Sequence, residues 1–100
     1  MTVQAHPVRR LFRRAMFELH GSSTYPVHVQ AEGDPWTVAT VNGVWFLDYR
    51  RITLAIVVPE YHIVEVFDPY PSKGQLDGVN ALLKSLNIDF QVMGPGRFQY

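Results

Sequence analysis

The sequence predicts an α+β domain: a single antiparallel sheet of about five strands, with an N-terminal and a C-terminal helix packed on one face. Three observations carry this expectation. Apolar residues recur at helical spacing near both ends of the 100-residue chain. The middle is a succession of strand-like runs with no helix between them, so sequential neighbours should pair antiparallel. Two of those runs are joined by Asn42-Gly43, a strong hairpin signal because both residues tolerate positive φ.

The chain length suits one domain over residues 1–100, with about two thirds of the unfolded surface removed from water on folding. The first helix is expected over residues 7–20. Pro7 suits a first-turn position, Val8, Leu11, Phe12, Ala15, Met16 and Leu19 form an apolar stripe, and His20 with Gly21 supplies an end signal. Phe17 falls off that stripe. Gly21, Ser22 and Ser23 read as a loop, and Val27, Val29 and Ala31 then alternate with polar residues as in a half-buried strand. Residues 32–35 have turn chemistry.

Trp36 to Val41 and Val44 to Tyr49 flank the Asn-Gly turn. A two-residue loop there sets Val41 opposite Val44 and Trp36 opposite Tyr49, so Trp36, Val38, Thr40, Trp45, Leu47 and Tyr49 share the face expected to meet the core. Ile52 to Val58 is a nearly continuous β-branched run, which suits a central strand buried on both faces. Pro59-Glu60 turns the chain into a strand over residues 62–67. Asp68-Pro69-Tyr70-Pro71 is a stiff loop, and Ser72 with Gln75 is a capping box that opens the second helix through Leu76, Val79, Leu82, Leu83 and Leu86. Asn87 suits a left-handed cap. Ile88, Phe90 and Val92 alternate as a last short strand, and Gly94-Pro95-Gly96 breaks it before an aromatic tail.

Cysteine is absent, which excludes a disulfide framework, thiolate metal sites, iron-sulfur clusters and a cysteine nucleophile. The longest apolar stretch, Leu54 to Pro59, is far short of the roughly 18 residues a membrane helix needs, and the N-terminus lacks a signal-peptide core. A soluble cytoplasmic domain with no membrane partner is expected. Net charge is zero, which argues against nonspecific nucleic-acid binding by the whole surface. The charge is segregated, however. Residues 1–20 hold Arg9, Arg10, Arg13 and Arg14 against Glu18, whereas the remainder has an acidic excess. Two roles are open to these arginines: a solvated helix face that pairs with acids on the sheet, or a docking face for an acidic protein surface or a phosphate backbone.

Motifs for catalysis are sparse. His6, His20, His28 and His62 share no metal-ligand spacing, and the serines lack a nucleophile elbow. Ser72-Lys73-Gly74 could hold an anion at a helix start, but the glycine-rich loop of a phosphate cradle is missing. Asp48 and Glu65 are the best carboxylate pair, on strands that need not be neighbours; a plain polar sheet position opposite Thr37 accounts for Asp48 more simply. Tyr49 before Arg50 and Arg51 could stack a base, although the hairpin register assigns Tyr49 to the core. Tyr70, between two prolines, suits a rigid contact residue or a structural plug. Arg97, Phe98 and Tyr100 could extend a sheet edge, insert into a partner or fray.

The functional expectation is therefore a small non-enzymatic protein-binding module without metal or cofactor. It would regulate or inhibit a larger partner protein, as small phage or mobile-element proteins do. Its contact residues would be Arg9, Arg10, Arg13, Arg14, Phe17, Tyr70, Arg97, Phe98 and Tyr100. One alternative is nucleic-acid binding through the arginine face. Another is homo-oligomerisation, for which Val41, Val44 and Phe46 would supply an apolar patch if no helix covers them.

Overall fold

The computed structural model describes residues 6–21, 26–30 and 35–100. The expected loop at Ser22 and Ser23, the strand residue Ala31 and the turn at residues 32–34 lie outside the described residues. In chain order the elements are α1 (Pro7–Gly21), β1 (Val27–Gln30), β2 (Trp36–Val41), β3 (Val44–Tyr49), β4 (Ile52–Val58), β5 (Ile63–Val66), α2 (Lys73–Ser85) and β6 (Gly96–Gln99). The strands form one six-stranded antiparallel sheet in sequential order, with both helices on the same face. The architecture is the α+β fold expected, with one strand more than anticipated.

Local chemistry explains most of the elements. Pro7 opens α1, and His6 caps it: the Val8 N–H donates to His6 Nδ1 at 3.2 Å. Val8, Leu11 and Ala15 are fully buried, and Phe12 rests against Trp45 with ring centroids 4.9 Å apart. The β2–β3 hairpin has the expected register in all six pairs, from Trp36 opposite Tyr49 to Val41 opposite Val44. Asn42 and Gly43 both take positive φ, 50° and 79°. Ser72 and Gln75 form the capping box, and Asn87 is left-handed with φ 59° after α2.

A second two-residue turn joins β3 to β4. It is built from Arg50 and Arg51, with φ 52° and 68°. Side chains that carry a Cβ adopt this region at a cost of about 1–2 kcal/mol each. Directly after it the β3–β4 register shifts: Asp48 pairs with Thr53 but Leu47 with Ala55, leaving Leu54 as the extra residue of a bulge. The bulge lets both Leu54 and Ala55 be buried.

α1 lies over β1 and β2, and α2 over β3 and β4. Between them sits the core of Val29, Val38, Leu47, Val57, Val79 and Leu82, all essentially inaccessible. Gly78 lets α2 approach the sheet closely. A Cβ placed there would come within 2.2 Å of the Trp36 ring.

Three expectations need correction. Ile88, Phe90 and Val92 do not form a strand; residues 88–93 run as irregular chain over the helix-side face near β5 and β6. The last strand is instead the aromatic tail, β6, which pairs with β5. The β4 strand is central in the sheet but is not buried on both faces: Ile56 and Val58 point to the helix-free side and stay half-buried, and Ile52 is exposed. Its β-branched run reflects a helix-free face that is itself apolar rather than a second covering layer.

Candidate functional site

On α1, Arg10, Arg13, Arg14 and Phe17 occupy positions i, i+3, i+4 and i+7, so the helix turn stacks them on one outward face. All four are exposed, and Phe17 is 78% exposed. Among the described residues no carboxylate lies within ion-pair distance of any α1 arginine. Among the described residues, the pairing with sheet acids that would make these arginines a self-satisfied surface is not formed. An aromatic ring thus stands in water among three guanidinium groups that form no ion pair with the described residues. The sequence contains this signal in the seven-residue spacing of Arg10 and Phe17; attention to the buried stripe alone leaves Phe17 as an outlier.

Arg9 departs from the other three. It is half-buried and turns into the groove between the helices, where Asp77, Lys84 and Asp89 also contribute. That groove holds about 760 Å³ and mixes both signs of charge.

The remaining sequence-predicted residues are dispersed. Tyr70 is 89% exposed on the β5–α2 loop, where its N–H donates to Asp68 Oδ1 at 2.9 Å. This loop adjoins the Tyr49–Ile52 end of the sheet, whereas the C-terminal part of α1 adjoins the Asn42-Gly43 tip, where Leu19 and Trp45 line one hollow. The six-residue strands between those ends span roughly 20 Å. Tyr70 and Phe17 therefore do not share one contact patch.

Arg97, Phe98 and Tyr100 sit at the sheet edge farthest from α1. Arg97 is exposed opposite Glu65 on the helix-free face. Phe98 and Tyr100 face the helix side and pack against the core, with Phe90 stacked on Tyr100 at 5.6 Å. The Tyr100 N–H donates to the His62 carbonyl at 2.8 Å. Of the roles open to the tail, extension of a sheet edge is the one the fold uses.

The carboxylate pair is not assembled. Asp48 lies between Thr37 and Thr53, while Glu65 lies between Ile56 and Arg97, on a strand that does not adjoin β3. Tyr49 is half-buried against Trp36 at 4.9 Å and is not available as an open stacking platform. Among the described residues no group of three or more His, Asp or Glu could hold a metal ion, and no helix is long and apolar enough to cross a membrane. Compared with protein-family models, with curated proteins and with solved structures, the chain shows no match in any of the three.

Proposed function

We propose that the protein is a non-enzymatic, intracellular binding module that regulates or inhibits a larger protein by docking the outward face of α1 on an acidic surface. The carrying observation is the exposure of Phe17 amid Arg10, Arg13 and Arg14, none of which has a carboxylate partner among the described residues. A buried phenylalanine is worth about 2–3 kcal/mol of apolar transfer. The arginines around it would steer an acidic partner and desolvate with it, which is the usual division between an aromatic hot spot and its charged surround.

The test is an affinity capture from the native cell with wild type, an R10A/R13A/R14A variant and F17A, each with and without nuclease. A stoichiometric protein that survives nuclease and is lost with either variant supports the proposal. Material recovered only without nuclease, lost with the arginine variant but kept by F17A, identifies phosphate-backbone binding instead, because phosphate contacts need the charge and not the ring.

A second reading rests on a separate observation. The helix-free sheet face presents Ala39, Phe46 and Ile56 in one row and Val41, Val44 and Val58 beside it, half-buried and with no helix of the described residues over them. A second copy of the chain would cover such a face by sheet-on-sheet packing. Sedimentation of wild type against F46E checks it: a dimer that dissociates in the variant supports self-association, and a wild-type monomer at high concentration removes it.

A further inference from the structure

We propose that the cleft between the β3–β4 turn and the β5–α2 loop binds a small amphipathic anion, a monocarboxylic acid with an apolar body. The cleft holds about 480 Å³, within the range of small-molecule sites. Tyr49, Ile52, Leu54 and Phe67 supply its apolar walls. Ile52 is 73% exposed and Phe67 46% exposed, so two large apolar side chains are left in water where a ligand's body would cover them.

The polar groups at the cleft select the head group. Asp68 also lines the cleft and keeps its charge, but its Oδ1 is taken up by the Tyr70 N–H at 2.9 Å. Arg50 is the cation of the cleft, held with its guanidinium carbon 5.4 Å from the centre of the Tyr49 ring and with no carboxylate in ion-pair distance among the described residues. A ligand carboxylate would complete it as a charge-assisted pair. An inorganic anion would satisfy Arg50 but leave the apolar walls wet; an uncharged apolar compound would do the reverse.

The turn that carries Arg50 adds a second argument. The same chain closes its other two-residue hairpin with Asn42-Gly43, residues that accept left-handed backbone easily. Here it holds Arg50 and Arg51 in that conformation, and neither side chain forms an ion pair with the described residues. The strained turn holds Arg50 at the mouth of the cleft, its N–H donating to the Pro35 carbonyl at 2.8 Å and its guanidinium over Tyr49, and backbone strain of this kind clusters at ligand sites. This site is separate from the α1 face and stands independently of the function proposed above.

The experiment is calorimetric titration of the full chain with decanoate, decylamine and acetate, alongside thermal melts of wild type, R50N/R51G and I52S. Decanoate is expected to bind stoichiometrically, decylamine about tenfold or more weaker, and acetate without measurable heat. R50N/R51G should melt at or above the wild-type temperature yet lose about tenfold or more in decanoate affinity. I52S should weaken decanoate while leaving its preference over decylamine intact. Equal affinity for decanoate and decylamine, undiminished binding by R50N/R51G, or no decanoate heat below its micelle threshold would each overturn the proposal.

Discussion

Asn80 on α2 holds Val92 by both of its backbone groups: the Asn80 carboxamide donates to the Val92 carbonyl at 3.0 Å and accepts the Val92 N–H at 2.8 Å. One side chain thereby does for Val92 what a neighbouring strand would have done, and the segment around it needs no place in the sheet. With Val92 pinned and 2% exposed, Phe90 is brought against Phe98 and Tyr100, which covers the β5–β6 side of the core. Asn80→Ala should therefore cost about 2–4 kcal/mol, since a buried N–H and carbonyl lose their partners together. Urea unfolding would measure the loss. Hydrogen exchange should show residues 88–93 opening before the rest of the domain.

Gly78→Ala provides a test of the helix-sheet approach. Alanine normally favours a helix interior over glycine by about 1 kcal/mol. Here the added Cβ would meet the Trp36 ring at 2.2 Å, so either the indole or α2 must move. A net destabilisation of about 1–3 kcal/mol is expected, the range typical of overpacking, with an accompanying change in tryptophan emission. A stabilised variant would show that the ring can rotate away freely.

Substitution on the outward face of α1 should leave the fold intact. Arg10, Arg13, Arg14 and Phe17 are exposed, and no ion pair ties these arginines to another described residue. R10A/R13A/R14A and F17A are accordingly expected to stay within about 0.5 kcal/mol of wild type in chemical denaturation. A larger loss would assign the residues a structural role and make the capture experiment a measure of folding.

Tyr100 makes a pH-dependent contribution to stability on the alkaline side. Its hydroxyl oxygen is buried without a hydrogen-bond partner among the described residues, and burial raises its pKa above the ordinary value of 10.0. The sign follows from proton counting: above pH 10 the unfolded chain releases this proton while the folded chain keeps it, so stability is full below that pH and falls as pH rises through the folded value. Tyr100→Phe should be as stable as wild type or more so at neutral pH. The difference between the two proteins in pH-dependent thermal melts should widen above pH 10 in favour of the variant.

The readable parts of this chain were those in which a local rule has one solution. Asn42-Gly43 admits a tight turn with positive φ, and that turn alone sets all six β2–β3 pairs. Ser72 and Gln75 can satisfy each other's backbone only at a helix start, with the Gln75 N–H donating to Ser72 Oγ at 3.1 Å. The exchange of roles at the C-terminal end was not readable, because Ile88, Phe90 and Val92 alternate as well as any strand. Alternation reports which side chains share a face but not which backbone lies beside them, and here Asn80 had already taken the Val92 groups.

The candidate sites divide in the same way. Arg10, Arg13, Arg14 and Phe17 share a face by helical geometry alone, a placement that follows from their spacing. The cleft required the tertiary structure: Tyr49 to Leu54 come from a strained turn and its bulge, and Phe67 with Asp68 from a loop beyond β5. By itself the sequence determined both helices, the first five strands, the hairpin register and the apolar face of each helix, because those depend on periodicity and on backbone preferences a few residues long. Only the tertiary structure decided which segment became the sixth strand, which sheet face stayed uncovered and where a cleft opened, because burial is settled among residues distant in sequence that compete for the same partners.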